Sequence, residues 1–98
     1  MLKKQILQKG DIVKVKFETH PLPEAQTAFL VGDFNGWDEK THPMKKRKTD
    51  DCFTIELKLE PNNEYHFRYL IDGDWHNEWE ADKYASNPFG GDNSIVIT

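Results

Sequence analysis

EYHFRYLIDGDW, residues 64–75, sets Tyr65, Phe67, Tyr69 and Ile71 on one side of an extended chain and His66, Arg68 and Leu70 on the other. Alternation with a period of two predicts a half-buried strand. The run ends in Asp72-Gly73, a strong signal for a two-residue hairpin because both turn positions need positive φ. Such a turn sets Ile71 opposite Asp74, Leu70 opposite Trp75 and Arg68 opposite Asn77. Directly opposed residues share a sheet face. With Tyr65, Phe67, Tyr69 and Ile71 in the core, Arg68, Leu70, Trp75 and Asn77 form one outward patch. A tryptophan is thus expected at the surface, beside a cation and an amide.

The same period recurs on both sides. In CFTIELKLE, residues 52–60, Phe53, Ile55, Leu57 and Leu59 alternate with Cys52, Thr54, Glu56 and Lys58. In DIVKVKFET, residues 11–19, Val13, Val15 and Phe17 alternate with Lys14 and Lys16, and TAFLVGDF (27–34) and SIVIT (94–98) read as further short strands. Turn formers separate these runs: Pro21 and Pro23, Asn35-Gly36, Thr49-Asp50-Asp51, Pro61-Asn62-Asn63, then Pro88 and Gly90-Gly91. No segment keeps a helical period. The expected fold is all-β, a single-domain sandwich of about seven strands over residues 1–98. Its first strand is expected at Asp11 to Glu18, with residues 1–9 free to be flexible.

The 98 residues, 37% of them hydrophobic, suffice for one modest core. A formal charge of −4 argues against a nucleic-acid or anionic-membrane partner. Lys45 to Lys48 (KKRK) precede a turn and read as a solvated hairpin. One cysteine, Cys52, excludes an intrachain disulfide, so no oxidising compartment is required. The N-terminal MLKKQILQKGD has no apolar stretch of signal-peptide length, and no run approaches a membrane span of ~20 residues. A cytoplasmic location is the expectation. His20, His42, His66 and His76 show no metal-ligand spacing, so no metal and no cofactor is expected. Glu78, Glu80 and Asp82 could suggest paired carboxylates of a glycosidase. No cleft is evident for them, and no catalytic residue is assigned.

VGDFNGWDEK, residues 31–40, carries a second tryptophan, Trp37, on a turn among Asp33, Asp38, Glu39 and Lys40. Two exposed tryptophans near an arginine and an asparagine suit a sugar. The C–H face of an α-linked glucose packs on an electron-rich ring, and its hydroxyls need donors and acceptors at the rim.

These residues resemble the starch- and glycogen-binding modules that precede the catalytic barrel in isoamylases, pullulanases and branching enzymes. Similar modules occur in the β subunit of AMP-activated protein kinase and in small free-standing bacterial proteins, to which this chain looks most similar. The motifs are VGDFNGW (31–37), FRYLIDGDW (67–75) and NPFGGDNS (87–94). The resemblance implies an immunoglobulin-like, early-set sandwich and a non-catalytic module for α-1,4-glucans: glycogen, starch and maltodextrins. It implies that Trp37 and Trp75 stack on glucose units. Arg68, where the kinase module carries Lys, would contact hydroxyls, and Phe89 and Asn93 would complete the site. The implied partners are an α-glucan polysaccharide or malto-oligosaccharide and a glycogen- or starch-metabolising enzyme. Gly91 stands where the kinase module has Thr, which removes one hydroxyl contact. The segment NEWEADKY, residues 77–84, also departs from that module. Taken alone, Trp79, Tyr84 and Phe89 read as loop-packing anchors. The alternative function is a protein-interaction domain of the same fold, with the aromatic patch as its interface. A catalytic barrel of about 250 residues has no room in this chain.

Overall fold

A computed structural model describes residues 2–6, 12–88 and 91–98. Among these, the strands are β1 (Leu2–Ile6), β2 (Val13–Glu18), β3 (Ala28–Gly32), β4 (Lys45–Lys46), β5 (Phe53–Leu59), β6 (Glu64–Ile71), β7 (Asp74–His76), β8 (Lys83–Ser86) and β9 (Asp92–Ile97). They form two antiparallel sheets of order β1-β2-β5-β4 and β3-β6-β9-β8, with β7 also paired to β6. The all-β sandwich read from the alternation is the observed fold. No helix among the described residues is long and apolar enough to cross a membrane.

Among the described residues there are nine strands where about seven are expected, and the first described one starts at Leu2 rather than near Asp11. β1 and β8 have no alternating pattern of their own. They are strands because a neighbour offers an unpaired edge. β1 pairs with β2 from Leu2↔Phe17 to Ile6↔Val13, and β8 pairs with β9 from Lys83↔Ile95 to Ser86↔Asp92.

The apolar phases meet between the sheets. Val13, Val15 and Phe17 of β2 and Phe53 of β5 pack with Leu30 of β3, Phe67, Tyr69 and Ile71 of β6, and Val96 of β9. Phe17 and Phe67 meet edge-on across the sandwich, ring centres 5.0 Å apart. Burial of each such side chain stabilises the fold by roughly 1.5–3 kcal/mol. Cys52, on the polar phase in sequence, is buried just ahead of β5, and burial pushes its thiol pKa up.

β6 positions the site. Asp72 (φ 48°) and Gly73 (φ 86°) form the expected tight turn into β7, with Ile71 opposite Asp74 and Leu70 opposite Trp75. The Asp72 carboxylate accepts from the Thr27 amide at 2.8 Å and the Gln26 amide at 2.9 Å, pinning the turn to the start of β3. Those two bonds lower its pKa. One edge of β6 is shared: β7 takes Tyr69 to Ile71, and β9 takes Glu64 to Phe67. Arg68 lies at the junction. The expected pairing of Arg68 with Asn77 therefore does not form, because β9 already occupies that edge. Asn77 turns away, and its Oδ1 accepts from Ser94 Oγ at 3.0 Å.

Candidate functional site

Register defines the outer face of the five-stranded sheet. Leu70 lies between Phe29 of β3 and Trp75 of β7, Arg68 is opposite Val31, and His66 is opposite Ile95. Val31 (0% exposed) and Ile95 (3%) are buried although neither belongs to the core cluster between the sheets. Other side chains on the outer face must therefore lie over them. The two residues form an apolar floor beneath that layer.

Trp75 is 41% exposed, as the hairpin predicts. The Arg68 guanidinium carbon lies 5.8 Å from the centre of its ring, within the range of a cation–π contact. Arg68 Nε is buried and has no hydrogen-bond partner among the described residues. An arginine carries five N–H donors and no acceptor, and here one of them, Nε, is shielded from solvent and unpaired among the described residues beside the Trp75 ring. A Cβ built on Gly91 would meet the Arg68 terminal nitrogens at 3.8 and 3.9 Å, an ordinary contact. Space does not select glycine there. Its φ of +81° does, and a β-branched threonine is poorly suited to that conformation.

A 3-10 turn, Asp33–Asn35, leads into two consecutive left-handed residues, Gly36 (φ 65°) and Trp37 (φ 61°). A bulky residue held there costs on the order of 1–2 kcal/mol. Hydrogen bonds hold it in place. Asn35 Oδ1 accepts from the Gly32 amide at 3.1 Å, and Asn35 Nδ2 donates to the Leu30 carbonyl at 2.9 Å. The Trp37 amide donates to the Gly32 carbonyl at 2.9 Å. The indole Nε1 donates to Asp33 Oδ1 at 3.0 Å, while Asp33 Oδ2 accepts from the His66 amide at 2.8 Å. Asp33 thus ties the Trp37 ring to β6. Trp37 is half-buried rather than fully projecting, because the turn folds its indole back onto its own acidic neighbour.

Asn93 of β9 is half-buried. Its Oδ1 accepts from Asn87 Nδ2 at 3.2 Å, and its Nδ2 lies 3.4 Å from His66 Nδ1. The structure therefore joins Trp75 to Arg68 directly and links Trp37 to Asn93 through Asp33 and His66. His66 and Arg68 are two residues apart on one face of β6, which relates the two groups. Phe89 lies outside the described residues. Asn77, placed in the patch by the simple hairpin register, is not in it.

Asp33, His66 and Asn87 are site neighbours that the sequence reading missed. The alternation already put His66 in phase with Arg68, which was the available signal. Asp33 precedes Trp37 by four residues in the turn motif, but nothing local shows that its second oxygen reaches β6.

The segment 77–84 has a different role. Trp79 stacks on His20 (ring centres 4.3 Å apart, 19° between planes) and lies 6.1 Å from Tyr69. The Tyr84 hydroxyl donates to the Glu78 carbonyl at 2.6 Å and accepts from the Ala81 amide at 3.1 Å. Both anchor the loop. Glu78 is 1% exposed, and its carboxylate accepts from the Tyr69 hydroxyl at 3.0 Å and the Glu80 amide at 2.6 Å. Burial, reinforced by the Glu78 charge, raises the Tyr69 pKa well above that of a free phenol. Asp82 accepts from Lys4 Nζ at 2.7 Å and the Ile97 amide at 2.8 Å. Glu78 and Asp82 are thus engaged in holding the loop. Among the described residues, no three His, Cys, Asp or Glu side chains are grouped to hold a metal ion.

Comparison with known proteins places this arrangement. The family model of carbohydrate-binding module 48, the isoamylase N-terminal domain, matches residues 8–85. A 1,4-alpha-glucan-branching enzyme of Saccharomyces cerevisiae is 46% identical over 43 residues, 44% of this chain and 6% of the enzyme. The 1,4-alpha-glucan branching enzyme GlgB of Butyrivibrio fibrisolvens is 37% identical over 65 residues, 65% of this chain and 10% of the enzyme. GlgB 2 of Xanthomonas campestris pv. campestris is 44% identical over 64 residues, 65% of this chain and 9% of that protein. The chain spans a tenth or less of these relatives' length. Family match, sandwich fold and hairpin agree: the chain belongs to carbohydrate-binding module family 48, the isoamylase N-terminal domains.

Proposed function

We propose that the outer face of the five-stranded sheet binds α-1,4-linked glucan chains without acting on them, and that it brings a glycogen- or starch-metabolising enzyme to the polymer. Trp37 and Trp75 stack on glucose rings, Arg68 and Asn93 bond to hydroxyls, and Phe89 flanks the chain. The observation that carries the reading is Arg68. Its guanidinium lies over the exposed Trp75 ring and its Nε is buried without a partner among the described residues. The cation–π pair suits a ligand with a flat apolar face and a rim of hydroxyl acceptors, met by the guanidinium's terminal nitrogens, since Nε itself is shut off from solvent. The family and the branching enzymes it resembles support a glucan as that ligand.

Full burial of a large apolar side chain yields roughly 1.5–3 kcal/mol, and stacking covers one ring face, so the two tryptophans supply ~1.5–3 kcal/mol together. With hydroxyl contacts added and the ordering of a flexible oligosaccharide subtracted, dissociation constants of about 1 mM to ~10 μM follow. The test is a tryptophan-fluorescence titration from maltose to maltoheptaose, with cello-oligosaccharides as control. Affinity should rise with α-1,4 chain length and then level off, and Arg68→Ala should weaken it by ~1–3 kcal/mol with the fold intact. Equal binding of cellulose fragments, or no effect of Trp37→Ala, Trp75→Ala and Arg68→Ala alike, overturns the reading. The patch would then be a partner interface.

A further inference from the structure

The outer face of the other sheet, β1-β2-β5-β4, has a different chemistry. Register sets Lys3 directly opposite Lys16, which faces Glu56 on its other side, and Lys14 directly opposite Lys58. Lys45 lies farther along the same face, opposite Thr54. Like charges directly opposed across a sheet destabilise it. Two glutamates moderate the face. Glu18 pairs with Arg47 at 3.0 Å and Lys3 at 3.2 Å, and Glu56 pairs with Lys14 at 3.6 Å. Lys16, Lys45 and Lys58 have no carboxylate within ion-pair distance among the described residues. A chain of formal charge −4 thus gathers an excess of cations on one sheet face.

We propose that this face docks a carboxylate-rich protein surface. Strands about 4.8 Å apart, with same-face residues about 6.6–7 Å apart along each, present the ammonium groups as a flat grid. Carboxylates on a folded partner can match such a grid one by one, which favours fast and selective association. The face has no aromatic side chain in its outward register on which a base could stack. Its one arginine, Arg47, is committed to Asp50 at 2.6 Å and to Glu18. The proposal stands on the four-stranded sheet alone and does not depend on the glucan reading.

The experiment is fluorescence anisotropy with a fluorescein-labelled oligoglutamate, compared with oligothymidine and inorganic polyphosphate of similar charge. Wild-type protein should bind the oligoglutamate, and the affinity should fall about tenfold or more as salt shortens the screening length. The triple variant Lys14→Gln, Lys16→Gln, Lys58→Gln should lose about tenfold in affinity. Its melting temperature should stay close to that of the wild type, because relief of the opposed lysines is offset by loss of the exposed Lys14–Glu56 pair. No binding of oligoglutamate by the wild type, or undiminished binding by a folded triple variant, overturns the proposal. Tighter binding of oligothymidine or polyphosphate than of oligoglutamate overturns the choice of a protein partner.

Discussion

Trp75 and Trp79 stand four residues apart and are almost equally exposed, 41% and 37%, yet they are held in opposite ways. Trp75 rides on the β6–β7 hairpin beside an arginine whose Nε makes no hydrogen bond among the described residues. Trp79 sits in segment 77–82, its ring stacked on His20 and lying near Tyr69, next to a buried glutamate that ties the segment to the core. An exposed aromatic marks a site when its neighbours bring unused polar groups to it. Where those neighbours are stacked or hydrogen-bonded inward, it is an anchor whose outer edge happens to meet water.

The comparison can be broken most forcefully at Glu78. Glu78→Ala removes the acceptor of the buried Tyr69 hydroxyl and of the Glu80 amide. Leaving the buried Tyr69 hydroxyl without an acceptor should cost about 1–3 kcal/mol, read by urea denaturation. The variant should keep its maltoheptaose affinity at temperatures where it is folded. An unchanged midpoint would show that the segment is not anchored through this carboxylate.

A pair of truncations sharpens the contrast. Trp75→Ala should weaken maltoheptaose binding about tenfold or more, the equivalent of ~1.4 kcal/mol, and change stability by less than about 0.5 kcal/mol. Trp79→Ala should do the reverse, costing about 1–2 kcal/mol of stability through lost packing and leaving the titration nearly as it was. If both variants behave alike in both assays, the two tryptophans are not different in kind.

The smallest effect concerns acid. Asp72 anchors the hairpin, and its pKa is depressed by the Thr27 and Gln26 amides. Burial raises the pKa of Glu18, but Lys3 and Arg47 outweigh it and the net shift is downward. For a group whose folded pKa lies below its unfolded value, the stabilisation is complete above the unfolded pKa, about 4 for a carboxylic acid. It is lost as pH falls through the folded value. Melting temperature should therefore hold near neutrality and decline below about pH 4. Asp72→Asn should flatten part of that decline, and an unaltered slope would remove Asp72 as the anchor of the hairpin.

Local pattern was enough for much of the fold. The alternations in 11–19, 52–60 and 64–72 became β2, β5 and β6, because a period of two is a property of the chain itself. Asp72-Gly73 adopted the two positive φ values that its residues favour, and that turn alone sent Trp75 outward. Arg68 followed from the same phase. Leu2–Ile6 and Lys83–Ser86 could not be read this way, since their sequences carry no pattern and their pairing completes a neighbour's edge.

Sequence by itself thus determined the sandwich, the faces of its central strand and the tryptophan–arginine pair, since each depends on residues within a few positions of one another. Tertiary structure alone decided the rest. Glu78 reads as one of three acids without a cleft until Tyr69 and the loop enclose it. Trp37 reads as a projecting tip until Asp33 fastens both its indole and the His66 amide. Lys14 and Lys16 read as ordinary polar-phase residues until β1 and β5 set Lys3 and Lys58 against them. The deciding contact comes from another strand for Glu78 and the lysines, and for Trp37 its turn neighbour Asp33 is itself held by the His66 amide of β6. Register between strands is set by the packing of the whole core rather than by any single stretch of chain.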